Sequence, residues 1–356
     1  MDLRRIYVAG VGAVSPAGWG VAALRGALDE RLPLPDTLLA RPGRSEPLRV
    51  REVPPPAFRP ACLGHPRLRR ASAVTQYAAG AMMEALESEG IMPVRAGRLG
   101  LVMCVLSGCV QYTQRFFGEV LEDPATASPL LFPETVFNAP ASHLAALLGA
   151  PPVTCTFLGD PATFLQGLGL AAEWLLEGRV DACLVVGAEE TNWLLADAMG
   201  LLDRQVRPAA GAGVILLGGS AEGSLGVELA QITDPQVYST RQGRHQAARQ
   251  MRACLPAGSA GELLCDSQLG RPRADAAEAA AWQGWPGARL SPKVVLGEGL
   301  MAASAWQCVV AVDALRLGRF PAAHVSVVGV NEQAVGARFC RTTSGHDGND
   351  RAGTAE

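Results

Sequence analysis

The hydrophobic and polar positions of the chain alternate in a way that indicates buried strands separated by helices. The pattern predicts strands at residues 5–15, 100–106, 214–218, 225–232 and 262–265. It predicts helices at residues 72–90, 242–253 and 275–282. Such alternation is typical of βαβ units, so the sequence predicts an α/β protein. Residues 32–66, rich in proline and arginine, are expected to form a surface excursion.

The most informative segment spans residues 152–190. It predicts a buried strand, a sharp turn, a helix that opens on small residues, and a second buried strand that ends at Glu190. A turn of this kind presents a nucleophile at a helix N-terminus, where backbone N–H groups and the helix dipole stabilise an anion. The turn holds Pro161, whose side chain cannot attack a substrate. The segment therefore has the layout of a catalytic site without its nucleophile.

This segment resembles the nucleophile region of the β-ketoacyl synthases, the condensing enzymes of the thiolase fold. In that family, the cysteine turn is followed by a helix and by a strand that carries a glycine, aspartate, glycine and glutamate signature. The signature is matched here by Gly178, Asp181, Gly187 and Glu190. Counting back from these residues places Pro161 at the position of the family's cysteine.

Two further signatures extend the resemblance along the chain. The family's first strand is matched one by one by Gly10, Gly12, Ser15, Pro16 and Gly18. A dinucleotide fingerprint is rejected there, because the third glycine is displaced and a proline interrupts the turn. A longer signature in residues 115–148, interpreted as packing and dimer contact, is carried by Arg115, Phe116, Ser128, Pro129, Phe132, Pro133, Thr135, Val136, Asn138, Ala139 and Ala141.

The resemblance implies a thiolase-like fold, a five-layer αβαβα sandwich of two pseudo-repeated halves. We assign residues 1–220 to the N-terminal half and residues 221–340 to the C-terminal half. Residues 341–356, polar and glycine-rich, are expected to form a disordered tail.

The same alignment locates the two catalytic histidines of the family. The spacing from Asp275 and Glu278 places Ser267 at the first histidine, and the run that begins at Lys293 places Glu298 at the second. The turn that supplies an oxyanion-hole N–H in the family corresponds to residues 328–331.

Chemistry decides what these replacements mean. Claisen condensation needs a thiolate to hold the acyl chain and two imidazoles to polarise the malonyl thioester. A serine cannot hold a positive charge, and a glutamate carries the opposite one. We therefore expect no catalytic residue at the degenerate triad of Pro161, Ser267 and Glu298. A residual pocket is predicted at Asp160, Thr163 and Lys293, and an ion pair with Lys293 or with an arginine is the simplest role for Glu298.

Composition narrows the class of protein. The 356 residues are 49% hydrophobic and 18% charged, which suffices for a large core. A net charge of −3 argues against nucleic-acid binding, and no run of about 18 apolar residues predicts a membrane span. We expect a cytoplasmic protein, because the first apolar run is short and interrupted by glycine.

Cysteine and histidine positions predict neither disulfides nor a metal site. The nine cysteines form no Cys-x-x-Cys pair, and the five histidines lack ligand spacing. Cys155, which precedes the turn, is expected to pack in the core. No cofactor is expected; the resemblance implies only the phosphopantetheine of an acyl carrier protein, as the substrate arm of a partner.

Three functions remain open at this stage. The first is a catalytically silent subunit of the chain-length-factor type, which forms a heterodimer with an active ketosynthase, although a homodimer is also possible. The second is an acyl-thioester enzyme with rewired acid–base chemistry at Asp160, Thr163 and Glu298. The third is a non-catalytic module that binds acyl chains or a carrier protein. Candidates for the lining of an acyl tunnel, or for the core, are Phe116, Phe117, Leu130, Leu131, Phe132 and Phe137.

Overall fold

In the described residues, ten strands, five from each part of the chain, follow one another in the main sheet, and two short strands pair beside them. The structure is a computed structural model and describes residues 5–87, 98–149, 152–330 and 332–342. The first part contains, in chain order, β1 (Tyr7–Ser15), β2 (Gly18–Trp19), α1 (Val21–Glu30), β3 (Thr37–Leu39), β4 (Leu48–Val50), α2 (Ala73–Glu87), β5 (Leu99–Val105), α3 (Val110–Glu122), α4 (Ala139–Leu148), β6 (Val153–Leu158), α5 (Thr163–Leu176), β7 (Ala182–Glu189), α6 (Trp193–Leu202) and β8 (Gly211–Gly218). The second part contains β9 (Val227–Ile232), β10 (Gln236–Val237), α7 (Arg241–Cys254), β11 (Leu263–Cys265), α8 (Pro272–Ala281), β12 (Ala288–Leu290), α9 (Pro292–Leu296), α10 (Met301–Arg316), β13 (Ala322–Val328) and β14 (Gln333–Arg341).

Both sets of five strands have the same order and orientation. The first set runs β6-β5-β7-β8-β1, and the second runs β12-β11-β13-β14-β9. In each set the first two pairings are parallel and the last two antiparallel. The sets meet where Tyr7 of β1 pairs with Glu228 of β9. The repeated topology is that of two pseudo-repeated halves, while the boundary after residue 220, in the loop between β8 and β9, stays a prediction.

Helices cover the two sets of strands in the order of a five-layer sandwich, which confirms the predicted fold class. The helix α10 lies in the middle layer, where it contacts β7 and β8 on one side and β13 on the other. The helix α5 shares this layer and packs on β5 and β7. The outer layers are α2 and α4 on the first set, and α7 and α8 on the second. Along α10, every residue from Met301 to Leu315 is buried.

The glycines of the first strand allow the outer layer to approach the sheet closely. A Cβ atom at Gly10 would lie 1.9 Å from the carbonyl oxygen of Ala85, and one at Gly12 would lie 1.9 Å from that of Ala81. Such distances are impossible for real atoms, so any larger residue would push α2 away from β1. The glycine pattern is therefore explained by packing of a helix against a strand.

The strand before Pro161 lies at the edge of the sheet, so the prediction of a buried strand there is wrong. Among the described residues, β6 pairs with β5 alone, and Val153 and Leu158 are exposed. An apolar run cannot distinguish a central strand from an edge strand that lacks a neighbour. For the same reason Cys155 is half-buried against the central cluster rather than fully buried.

Two other expectations need correction. The segment 32–66 is more than a surface excursion, because it forms the hairpin of β3 and β4 and buries Val50 and Arg51. At the other end, β14 continues to Arg341, and Thr342 donates to the Gly226 carbonyl, so these two residues do not belong to a disordered tail. The remainder of that predicted tail lies outside the described residues. In the part of the chain that is described, no helix has both the length and the apolar character to cross a bilayer.

Candidate functional site

The turn between β6 and α5 is stabilised by hydrogen bonds among its own residues. Pro161 is buried in this turn. The carboxylate Oδ1 of Asp160 accepts the Ala162 N–H at 3.1 Å, and the Asp160 carbonyl accepts the Thr163 N–H at 2.9 Å. Donors at a helix N-terminus stabilise an anion. Here one of these donors already serves Asp160, the residue before the position of the missing nucleophile.

Asp160 and Thr163 are brought together by a residue from the other half of the chain. The side-chain amide of Gln333 donates to Asp160 Oδ1 at 3.3 Å and to Thr163 Oγ1 at 3.1 Å, and Gln166 donates to Gln333 Oε1 at 2.9 Å. Burial raises the pKa of Asp160 in spite of these hydrogen bonds. The sequence reasoning missed both glutamines, because nothing in their local pattern indicates a partner across the molecule.

Ser267, which the sequence predicts at the position of the first histidine, belongs to a buried hydrogen-bond network. Its hydroxyl donates to Glu278 Oε2 at 2.8 Å and accepts the Val328 N–H at 3.1 Å. The Ser267 N–H also donates to both Glu278 oxygens. Burial, aided by the charge of Asp266, raises the pKa of Glu278 to about 8. The serine therefore links a helix to a strand, and its hydroxyl proton is already donated.

Within residues 328–331, the predicted counterpart of the oxyanion turn, two N–H groups are already bonded. The Val328 N–H goes to Ser267, and the Gly329 N–H donates to the Gln333 carbonyl at 2.9 Å. A Cβ atom at Gly329 would lie 1.7 Å from Asp160 Oδ2, so the Asp160 carboxylate fills the space beside this turn. Ser267 and Asp160 thus both lie beside residues 328–329. Their hydrogen bonds go to other groups and not to each other.

Glu298, which the sequence predicts at the position of the second histidine, forms the expected ion pair. Lys293 Nζ donates to Glu298 Oε2 at 2.7 Å, and the two residues are only 4% and 3% exposed. The other oxygen, Oε1, accepts the Leu300 N–H at 2.8 Å. Leu300 has a φ of 50°, a left-handed conformation that is unusual for a leucine. Both oxygens of the glutamate are therefore bonded, and its charge is neutralised by one lysine.

Backbone segments cover the Glu298 corner. The Glu298 N–H donates to the Arg207 carbonyl at 2.8 Å, and the Ala209 N–H donates to the Glu298 carbonyl at 2.9 Å. Arg51, from the segment 32–66, donates through its N–H to Pro208 and through Nη1 to Val295, each at 2.8 Å. This covering residue was missed in the sequence, because an arginine in a proline-rich segment is more often solvated than buried.

Two partly open cavities lie away from the predicted catalytic positions. A cavity of about 220 Å³ lies among α1, α10 and β12, and one of about 480 Å³ lies between α5 and β9. Neither cavity is lined by Pro161, Ser267 or Glu298. The predicted residual pocket of Asp160, Thr163 and Lys293 is therefore divided into two bonded groups: Asp160 and Thr163 bind Gln333, whereas Lys293 binds Glu298.

The candidates for an acyl-tunnel lining lie mainly on the surface, so the core alternative is wrong for most of them. In α3, Phe117 is 60% exposed, and in the following loop Leu130 is 69% exposed. Phe132 and Phe137 are exposed too, and Phe116 is half-buried with its ring 5.7 Å from that of Phe132. Only Leu131 belongs to the buried set. Leu121, on the same helix, is 70% exposed.

Two adjacent carboxylates fix the helix that carries this apolar surface. Glu190 accepts the Val74 N–H at 3.1 Å and the Gln111 N–H at 2.8 Å, at the N-termini of α2 and α3. Glu189 accepts the Ser107 N–H at 3.1 Å, just before α3. Burial raises the pKa of each glutamate to about 7. The two glutamates at the end of β7 therefore hold the N-terminus of α3 in place. Burial makes ionisation of their carboxyl groups unfavourable.

Comparison with known structures identifies the fold. The β-ketoacyl synthase from Burkholderia phymatum STM815 superposes with a TM-score of 0.81 at 17% identity, covering 96% of this chain and 100% of that chain. AntDE:AntF, a type II PKS acyl-carrier protein in complex with its ketosynthase bound to the hexaketide, gives 0.79 at 16% identity, over 95% and 99% of the two chains. The ishigamide ketosynthase/chain length factor gives 0.77 at 21% identity, over 95% and 100%.

These likenesses establish a thiolase-like fold of the ketosynthase kind along nearly the whole chain. No protein-family model and no curated protein matches the sequence.

Proposed function

We propose that this chain is a catalytically silent ketosynthase-like subunit of the chain-length-factor type. It pairs with an active ketosynthase in the assembly of a polyketide, an aryl polyene or a fatty-acid-like chain. The partner carries out the condensation on substrates held by an acyl carrier protein, and this chain shapes the far end of the acyl tunnel. The fold that it shares with ketosynthases and with a ketosynthase/chain length factor supports the proposal.

The observation that carries the proposal is that the residues predicted at the three catalytic positions are inert or bonded within the protein. Pro161 has no reactive side chain, Ser267 is bonded to Glu278 and Val328, and Glu298 is bonded to Lys293. Loss of one member of a concerted catalytic set typically costs several orders of magnitude in rate. With the nucleophile and both imidazoles replaced, no step of a condensation retains its catalyst.

The free edge of the sheet supports a protein partner. The strand β6, with the sequence Val-Thr-Cys-Thr-Phe-Leu, carries neither a charge nor a proline, which are the usual protections of an edge strand. An edge of this kind pairs readily with a strand from a second chain. The exposed apolar residues of α3 and of the loop after it offer further area to the same partner.

The test is co-purification followed by a turnover assay. The tagged chain is co-expressed with the ketosynthase and the carrier protein of the neighbouring reading frames. We expect a one-to-one complex of the two ketosynthase-like chains by native mass spectrometry. Condensation of malonyl and acyl carrier proteins should require the complex, whereas the isolated chain should show no turnover of either thioester.

Each other outcome contradicts the proposal and identifies a different function. Thioester turnover by the isolated chain would indicate the rewired acid–base enzyme, and substitution of Asp160, Thr163 or Glu298 would then reduce it. Binding of the carrier protein without any ketosynthase would indicate a binding module. A homodimer that persists in the presence of the ketosynthase would exclude the heterodimer.

A further inference from the structure

The cavity of about 220 Å³ among α1, α10 and β12 has an apolar interior. Its lining includes Leu28, Leu263, Val310 and Ala314, all of which are buried. An apolar cavity of about 150 Å³ is large enough to hold benzene. The space is therefore sufficient for a chain of about six carbons, and its interior favours an apolar group.

The polar residues of the lining are all charged, and most of them are positive. Four arginines and two aspartates line the cavity, which leaves a formal charge of +2 on its wall: Arg25, Arg31, Arg289, Arg319, Asp29 and Asp313. The side chains of Asp29 and Arg319 are about half exposed, at 53% and 45%, so the charged part faces solvent at least in part. A cavity with an apolar interior and a cationic opening is complementary to a molecule with an apolar tail and an anionic head.

The two aspartates are already neutralised by three arginines. Asp313 lies 3.1 Å from Arg25 Nε and 2.9 Å from Arg316 Nη2. Asp29 accepts two hydrogen bonds from Arg319, at 2.9 and 3.1 Å. These hydrogen bonds, together with the charges of Arg319, Arg25 and Arg31, lower the pKa of Asp29, which reflects the positive potential at this place.

Among the residues that the structure describes, Arg31 and Arg289 have no carboxylate in hydrogen-bond contact. Arg289 forms a longer ion pair with Asp266 Oδ2, at 3.8 Å, and donates through Nη2 to the Trp282 carbonyl. Arg31 ends α1 with a φ of 58°, in the left-handed region that usually holds glycine or asparagine. Arg31 is exposed to solvent at the end of this helix.

We propose that this cavity binds a small organic anion, a monocarboxylate with an unbranched tail of about six carbons. The tail occupies the apolar interior, and the carboxylate lies between Arg31 and Arg289. The site is separate from the degenerate catalytic positions, and the proposal does not depend on the function proposed above.

Isothermal titration calorimetry of the whole purified chain with hexanoate tests the proposal. We expect saturable one-to-one binding of hexanoate. Acetate and 1-hexanol should each bind at least about tenfold more weakly, because acetate lacks the apolar tail and 1-hexanol lacks the carboxylate. The variants Arg31→Gln and Arg289→Gln should each weaken hexanoate binding by about fivefold, the upper range for one ion pair that is open to solvent. Arg249→Gln, an exposed position on α7, is the matched control and should leave binding unchanged.

Filling the cavity provides a second, independent measurement. Ala314→Leu places additional atoms among the apolar lining and should abolish binding while circular dichroism and the thermal transition show a folded protein. The proposal fails if hexanoate shows no saturable binding, if 1-hexanol binds as tightly as hexanoate, or if Arg249→Gln weakens binding as much as Arg31→Gln does. It also fails if the folded Ala314→Leu variant binds like the natural chain.

Discussion

The predicted catalytic positions and the surface of α3 differ in the burial and bonding of their side chains. At these positions, polar groups are buried and bonded: Glu298 is 3% exposed and has a partner for each oxygen. On α3 no residue is buried, and Phe117 and Leu121 are 60% and 70% exposed. Ser267 and Glu298 have bonding partners within the chain, while α3 leaves apolar area in contact with water.

This difference follows from how buried polar groups and exposed apolar groups interact with water. Polar groups in a buried pocket need bonding partners, because an unbonded polar group or an unpaired charge away from water is unfavourable. The replaced residues therefore bond to one another and to the backbone. An exposed apolar surface is removed from water only by contact with another molecule. The closed region supports the proposal of a catalytically silent chain, and the open region supports the proposed surface for a partner.

The largest effect is expected from breaking the closed region at its ion pair. Glu298→Leu leaves the buried ammonium of Lys293 unpaired and should lower the free energy of unfolding by about 3 to 5 kcal/mol. Urea denaturation followed by circular dichroism measures the loss. In the double variant Lys293→Met with Glu298→Leu, most of that loss should be recovered. A single variant as stable as the natural chain would show that the pair is unimportant.

Charging the open region should abolish partner binding without harming the fold. Phe117→Glu combined with Leu121→Glu should weaken the complex with the ketosynthase by at least about 100-fold, since two anchors of an apolar interface are lost. Stability of the isolated chain should change by no more than about 0.5 kcal/mol, because both side chains are already exposed. Native mass spectrometry and a melting curve give the two readouts.

The matched control for that variant is Leu317→Glu, an exposed leucine at the end of α10. It adds a charge to another part of the surface and should leave the complex intact. Equal loss of binding in both variants would mean that net charge, rather than the surface of α3, controls association.

Stability should depend on pH through the buried glutamates. Burial raises the pKa of Glu278 to about 8 and that of Glu189 and Glu190 to about 7, whereas a glutamate in an unfolded chain titrates near pH 4.3. The folded state therefore binds more protons in the interval between these values, so the free energy of unfolding should fall as pH rises from about 5 to about 8. The slope contributed by one such group is at most about 1.4 kcal/mol per pH unit.

Urea denaturation at pH 5.5, 7.0 and 8.5 measures this dependence. Glu278→Gln should flatten it, while Glu177→Gln, at an exposed position, should leave it unchanged. Stability that rises with pH over this interval would contradict the assignment of raised pKa values to these groups.

The smallest effect is expected from restoring only the nucleophile. Pro161→Cys should give no detectable condensation, since Asp160 already takes the Ala162 N–H and its carboxylate opposes a nearby thiolate. Alkylation by iodoacetamide, followed by mass spectrometry, should leave the new thiol largely unmodified, while the exposed Cys254 reacts and serves as the internal reference. Rapid alkylation of position 161 together with malonyl turnover would show that the pocket is still functional.

Local sequence patterns predicted the strand, turn and helix around Pro161, but they missed the neighbouring helix α10 and the exposure of β6. The strand, turn and helix occur where the sequence places them, as β6, the turn at Asp160, and α5. The helix α10 was missed, because a helix buried on every side has no polar face and so no helical period. The exposure of β6 was missed too, since it depends on whether a neighbouring strand is present rather than on the strand itself.

The sequence by itself determined which residue types stand at the three reactive positions and the alternation that produces two similar halves. These properties depend on the order of residues along the chain, so spacing alone reveals them. Only the tertiary structure decided how the replacements are accommodated. Gln333 reaches Asp160, Arg51 covers the Glu298 corner, and Glu278 holds Ser267 because separate segments are packed together. Hydrogen bonds of this kind arise from the approach of distant segments, and no local pattern records that approach.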